Sequence, residues 1–250
     1  MDLPLISVIF ITYKRIDLLK RTIDSFLENT LYPRERLELI LCDDGSPLEI
    51  QEEMRKMPFD VFLLAETNQG LGANTNKGIR AAKGEYILQL QDDWILNAPN
   101  NYLLLAQKAL SLHKDIAMMR FRLGQPYVFS EYLSIEDYTL KILSNKQVNK
   151  ELNRFIYSDN PHLKRKNFHD VFGYYLEGVK MTIMEINMCD NFNRQNGGAA
   201  TIDGIEDIFE HIGEDESFRT KTIKDKVHNY IDSSSIGRMI LQMYKKVKGT

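Results

Sequence analysis

The stretch YILQLQDDW, Tyr86 to Trp94, reads as a strand for six residues. It then sets two carboxylates side by side, followed by the only Trp in the chain. Adjacent Asp residues at a strand end repel each other, so the pair asks for a positively charged partner. The segments on either side show which kind of sheet the strand belongs to. Ile6–Thr12 is a continuous β-branched run, the pattern of a strand covered on both faces. Between Asp17 and Leu27 the apolar Leu19, Ile23, Phe26 and Leu27 recur at i, i+4, i+7 and i+8, which makes a one-sided helix.

Leu37–Cys42 and Val61–Ala65 read as further strands, Gly72–Lys83 as a helix of small residues, Tyr102–Leu110 as a helix and Ile116–Phe121 as a strand. Strand alternating with helix predicts an open, mostly parallel α/β sheet with helices on both faces. Beyond residue 122 the pattern loosens, and residues 127–156 give no clear reading. SDNPHLKRKNFHDVFG (158–173) reads as a loop followed by a short helix. Val179–Phe192 reads as a mostly buried helix, and Thr201–Ile212 as a strand region. The expected organisation is one domain over 1–225, with 1–95 and 96–225 as its halves, followed by a tail over 226–250.

The chain has 250 residues, enough to bury a core, and its 43% hydrophobic and 27% charged residues are ordinary for a globular protein. A net charge of -3 gives no field that favours nucleic acid. Cys42 and Cys189 lie far apart and form neither a zinc-type spacing nor a disulfide framework, which suits a reducing compartment. The apolar run at the N-terminus is too short for a membrane span and has no basic leader, so a cytoplasmic or cytosol-facing protein is expected. The tail is basic and amphipathic, with Ile236, Met239, Ile240, Met243 and Val247 on one face. It suits an anionic membrane surface, and equally a helix packed on the domain or on a second subunit.

In an open parallel sheet, ligands bind beyond the carboxyl ends of the strands. Those ends carry Thr12-Tyr13-Lys14-Arg15, Asp43-Asp44-Gly45-Ser46, the loop Asn68-Gln69-Gly70-Leu71-Gly72, and Asp92-Asp93. Taken singly, Asp43–Ser46 could be a plain turn and Tyr13 a packing aromatic. The loop 68–78 lacks the third glycine of a dinucleotide fingerprint, because Thr75 stands in its place. Their joint delivery to one rim predicts a site. Paired carboxylates there suit Mg²⁺ or Mn²⁺, which combine one or two carboxylates with substrate phosphates. The expected ligand is therefore a nucleoside diphosphate, with Thr12, Tyr13 and Asp44 toward the base.

SVIFITYKR (7–15), LILCDDGS (39–46) and NQGLGANTNKGIRAAKGEYILQLQDDW (68–94), in this order and spacing, resemble family 2 glycosyltransferases of the GT-A fold. NPHLKRKNFHDVFGYYLEG (160–178) matches the looser second half of that pattern, and the resemblance implies that 1–95 form the nucleotide-sugar-binding half and 96–225 a less regular acceptor-binding half. The resemblance implies inverting transfer of a sugar from a nucleotide-diphosphate sugar, most often a UDP-sugar, to an acceptor hydroxyl in glycan or polysaccharide biosynthesis. It places Thr12 and Tyr13 at the base, Arg15 near the phosphates, and Asp44 in a hydrogen bond to the base. Asn68, Asn76 and Gly78 fall in the donor-pocket segment. Asp92 would contact the ribose or sugar and Asp93 the metal, in a DXD-like motif where Gln91 replaces a third acid. Trp94 would wall the sugar or simply pack.

A general base is also required. Glu185 is the choice, with Glu177 as fallback, and His211 resembles a late histidine that completes some GT-A metal sites. The acceptor implied is a glycan or glycolipid. A homo-oligomer is compatible with the tail. Two rival functions remain at this stage, a sugar nucleotidyltransferase and a catalytically silent nucleotide-sugar-binding module. The first would want a Gly-rich basic loop near the N-terminus, which ITYKRIDLL lacks.

Overall fold

A computed structural model describes residues 3–124, 127–143 and 156–213. The chain divides into a compact unit, Met1–Ile212, and a second unit, Gly213–Thr250. The tail over 226–250 expected to be amphipathic lies outside the described residues, and so does the part of the unclear stretch over 144–155.

The first half follows the sequence pattern closely. Its strands are β1 (Ile6–Thr12), β2 (Leu37–Asp43), β3 (Val61–Leu64) and β4 (Tyr86–Gln91), and its helices are α1 (Ile16–Asn29), α2 (Leu48–Met54) and α3 (Leu71–Ala81). These four strands lie in parallel, in the spatial order β3-β2-β1-β4, with Thr12 opposite Asp43 and Ile11 opposite Gln91. Alternation along β1 explains its unbroken apolar run. Ile6, Val8 and Phe10 enter one core with Leu19, Phe26 and Leu88, while Ile9 and Ile11 enter a second core with Ile79, Ile87 and Met188. Both faces are covered, so every position of the strand is buried.

After β4 come β5 (Trp94–Leu96), α4 (Tyr102–Leu112), β6 (Ile116–Arg120) and the hairpin β7 (Glu131–Ile135) and β8 (Tyr138–Leu143). They are followed by β9 (His162–Arg165), α5 (Phe168–Phe172), α6 (Met181–Arg194), β10 (Gly198–Ile202) and β11 (Phe209–His211). Among the described residues the main sheet has nine strands, continuing from β4 through β9, β6, β10, β8 and β7. The sheet is mixed. β9 runs antiparallel to both β4 and β6, whereas β10 is parallel to β6. β5 and β11 form a separate antiparallel ribbon that sets His211 opposite Trp94.

Two expectations need correction. SDNPHLKRKNFHDVFG is not only a loop and a short helix, since it contains the central strand β9. The charged Lys164 hides it: this residue is fully buried, and its ammonium is satisfied by the Gln89 side chain at 2.7 Å. The helix predicted over Val179–Phe192 is present as α6 but is not mostly buried. Met184, Met188, Cys189 and Phe192 face the core, while Met181 and Ile183 are about half exposed. No helix among the described residues is long and apolar enough to cross a membrane.

Candidate functional site

The rim formed by the exits of β1, β2 and β4 gathers most of the residues singled out in the sequence. After Thr12 the chain turns sharply, with Lys14 in the left-handed region at φ 61°. That conformation is costly for a residue with a Cβ. It is held by the Lys14 N–H, which donates to Ser46 Oγ at 2.8 Å, and Ser46 is in turn fixed to the Asp43 carboxylate. The turn brings Arg15 back across the exit of β4.

There Arg15 meets both carboxylates. Its Nε donates to Asp92 Oδ2 at 3.2 Å, its Nη1 to Asp93 Oδ2 at 2.9 Å, and its Nη2 to Asp92 Oδ1. Thr12 Oγ1 adds a bond to Asp92 Oδ2 at 2.6 Å. Asp92 and Asp93 are buried, and a cation beside them offsets the repulsion of such adjacency. Within the chain, the guanidinium is that cation.

The two carboxyls differ in charge behaviour. Burial pushes Asp92 up to about 7, the neighbouring Asp93 adds to the rise, and Arg15 and Thr12 oppose it. Burial also acts against the charged form of Asp93, but hydrogen bonds from His211 and Arg15 outweigh it and hold this carboxyl below its ordinary range. Burial works against Arg15 as well, yet its two anionic partners raise it, so it stays charged.

His211, placed by the β5–β11 ribbon, has its Nε2 3.3 Å from Asp93 Oδ2 and its ring 4.8 Å from that of Trp94. Asp93 Oδ1 is buried with no hydrogen-bond partner among the described residues. No cluster of three or more His, Cys, Asp or Glu able to hold a metal exists among the described residues. Among the described residues, a divalent ion is offered one carboxylate oxygen that accepts no hydrogen bond, beside an imidazole. This fits an ion that takes most of its ligands from a diphosphate and water. It does not fit a site enclosed by protein.

The second part of the rim is a cavity of about 700 Å³ at the exits of β2 and β3, lined by Asp44, Thr67, Asn74, Lys77, Arg80 and Glu177 among others. Asp44 Oδ1 and Oδ2 accept the N–H groups of Gln69 and Gly70 at 2.8 and 3.0 Å, which ties the 68–70 loop to β2. Gly45, at φ 81°, allows this approach: a Cβ there would stand 2.5 Å from the Thr67 carbonyl carbon. Tyr13 is half-buried, with the Lys14 ammonium 4.7 Å from its ring centroid, and Asn68 is exposed on the loop.

Other candidates stand elsewhere. The Asn76 side chain bonds the N–H and C=O of Tyr175 at 3.0 and 2.9 Å and Glu177 Oε1 at 2.7 Å, so it anchors the segment before α6. Glu177 thereby borders the Asp44 cavity. Gly78 packs against Cys42 and Ile9. Glu185 is half-buried on α6 and lines a different cavity, together with Asp159. Sequence reasoning missed Lys77 and Arg80, although Ala73, Lys77 and Arg80 share one face of α3. It also missed Asp159, which lay in a stretch read as loop.

Among solved structures, the chain resembles the mannosyltransferase PcManGT from Pyrobaculum calidifontis in complex with GDP-Man and Mn²⁺ (17% identity, TM-score 0.55, 80% of this chain and 55% of that one). It also resembles S. aureus TarS 1–349 in complex with UDP-GlcNAc (18% identity, TM-score 0.57, 81% and 57%). The chain thus spans little more than half the length of these neighbours, and at such identities the likeness is one of fold. No curated protein matches it. The family model for glycosyl transferase family 2 matches residues 7–175. With that match over more than half of its length, on the strands whose exits build the rim, the chain belongs to glycosyltransferase family 2.

Proposed function

We propose that this chain moves a glycosyl group from a nucleotide-diphosphate sugar, with UDP as the nucleotide, to an acceptor hydroxyl with inversion. The observation that carries the reading is the meeting, on one sheet rim, of the Asp44-lined cavity and the buried pair Asp92–Asp93. In this reading Tyr13, Thr12 and the Asp44 loop hold the nucleoside. Asp44 suits a base N–H, because each of its oxygens already accepts one bond and keeps a further lone pair. Lys77 and Arg80 supply positive charge along the cavity wall, toward which a diphosphate would lie. Asp92 serves the ribose or sugar.

Asp93 and His211 are the residues that would hold Mn²⁺ or Mg²⁺. A divalent cation bound there supplies Lewis acidity to the diphosphate leaving oxygens. Arg15 neutralises the same carboxylates from the protein side. Glu185 takes the proton of the acceptor hydroxyl, a contribution of about 10²–10⁴-fold for a positioned base. The acceptor proposed is a glycan or glycolipid.

Calorimetric titration of UDP with and without Mn²⁺ tests the donor site. Wild type should bind UDP at least about tenfold more tightly with Mn²⁺, which is one charge-assisted contact in free energy, and Asp93→Ala should lose that gain. Binding indifferent to Mn²⁺, or an unchanged gain in Asp93→Ala, counts against the site. A sugar nucleotidyltransferase would instead release pyrophosphate from a nucleoside triphosphate. A silent binding module would bind UDP and turn over no donor, and donor turnover undiminished in Glu185→Gln would remove that residue as base.

A further inference from the structure

Among the described residues, the Arg15 guanidinium bonds to Asp92 and Asp93 alone, through Nε at 3.2 Å, Nη1 at 2.9 Å and Nη2. Both oxygens of Asp92 are thereby taken, Oδ2 by Thr12 as well. Asp93 Oδ2 lies between Arg15 Nη1 and His211 Nε2, and Asp93 Oδ1 is shielded from solvent without a hydrogen bond. The carboxylate suited to a divalent cation is closed in this structure.

The backbone beneath this contact is fixed, and the side chain that closes it is not. Lys14, in the left-handed region, is held by Ser46, and the Arg15 C=O accepts the Leu19 N–H at 3.0 Å at the start of α1. The Arg15 side chain makes no capping bond to that helix. It can therefore leave the carboxylates by rotation about its own bonds, with the chain unmoved. It is 16% exposed, against 5% for Asp93 and 0% for Asp92. Of the three, Arg15 has solvent to move into.

Charge decides what else the pair can hold. One guanidinium already offsets the buried dicarboxylate. A divalent cation added beside it would meet a like charge at close range, where salt screens little. It would also have to take Asp93 from Arg15. A diphosphate changes the balance, because it brings negative charge of its own and matches the planar fork of a guanidinium. Arg15 then has an anion to turn to, and the cation gains phosphate oxygens beside the freed carboxylate.

We infer that Arg15 is a latch on the Asp92–Asp93 pair: it excludes free divalent cations and yields Asp93 only when cation and diphosphate arrive together. The inference rests on the donor-site reading above and adds the order in which that site fills. Arg15 competes with the cation in the empty site and serves the phosphates in the filled one. Coupling between two ligands is reciprocal, so UDP tightens the cation by the factor with which the cation tightens UDP. Arg15 supplies part of that factor.

Binding of Mn²⁺ alone, followed by the electron-spin-resonance signal of the free ion, tests the latch. Wild type should bind Mn²⁺ at least about tenfold more weakly without UDP than with it, and Arg15→Met should bind Mn²⁺ alone at least about tenfold more tightly than wild type, the scale of one charge-assisted contact. Arg15→Lys keeps a cation in place and should stay nearer to wild type than to Arg15→Met. In wild type, the Arg15 Nε–H resonance, assigned by its loss in Arg15→Lys, should move with UDP and Mg²⁺ together and stay in place with Mg²⁺ alone. That measurement holds even if Arg15→Met does not fold. Equally tight Mn²⁺ binding by wild type with and without UDP, no gain in folded Arg15→Met, or a resonance that moves with Mg²⁺ alone or not at all overturns the latch. UDP binding indifferent to Mn²⁺ in wild type, with Mn²⁺ alone still held more tightly by Arg15→Met, would instead sink the donor-site reading and leave Arg15 as the lock of a cation site.

Discussion

Replacing Arg15 with Met keeps most of the side-chain volume and removes the cation that holds Asp92 and Asp93 together. The Arg15 side chain is 16% exposed and the two carboxylates are at most 5% exposed, so water cannot take over its role. Breaking a buried ion pair by deleting one partner costs about 3–5 kcal/mol. The lower end applies here, because burial already brings Asp92 to about 7 and it can escape part of the repulsion by taking a proton. At pH 8, in EDTA, we expect a loss of about 3 kcal/mol, which for a domain of this size is a fall in Tm of about 6–12 °C. At pH 5.5 the loss should shrink, since Asp92 is then neutral. Mn²⁺ at a hundred times its Kd should return about 2.7 kcal/mol to the variant at pH 8 through binding linkage. Thermal melts followed by circular dichroism would read all three. A fall under about 2 °C at pH 8, where about 1 kcal/mol would already be visible, would show that Arg15 does not neutralise the pair.

Gly78→Ala adds a Cβ 2.6 Å from Cys42 Sγ and 3.2 Å from Ile9 Cγ2, and should destabilise by about 1–3 kcal/mol in urea unfolding; an unchanged midpoint would mean that α3 can lift freely from the sheet. Burial lowers the Lys164 ammonium to about 7, with Asp159 opposing, so the unfolded chain binds the extra proton from that pH up to 10.5. Wild-type stability, measured against Lys164→Met, should therefore rise by about 2 kcal/mol from pH 7 to pH 9, and a flat difference in urea melts would refute it.

The rim at the exits of β1, β2 and β4 was readable because its strands obey one rule. Ile6–Thr12, Leu37–Asp43 and Tyr86–Gln91 are apolar on both faces, and each ends in polar residues that the parallel arrangement must bring to one edge. That reasoning located Thr12, Arg15, Asp44, Asp92 and Asp93, but not what they touch. Nothing in the order of residues says that a left-handed turn at Lys14 folds Arg15 onto Asp92 and Asp93, or that Asn76 reaches forward to Tyr175. The second half was harder for a related reason. β9 is short, runs against its neighbours and carries a buried lysine whose partner, Gln89, sits 75 residues earlier. Periodicity cannot see such a pairing. Asp159 went unnoticed along with the strand it precedes.

The reversed direction of β9 divides labour between the two ends of strands. β1, β2 and β4 serve the crevice by where they leave the sheet, whereas β9 serves it by where it arrives. The turns that leave β1, β2 and β4 and the lead-in to β9 thus reach one rim from separate parts of the chain, tied to each other by side chains such as Gln89 and Asp159. A fold with this wiring holds its rim together by contacts across the sheet rather than by the continuity of any single loop.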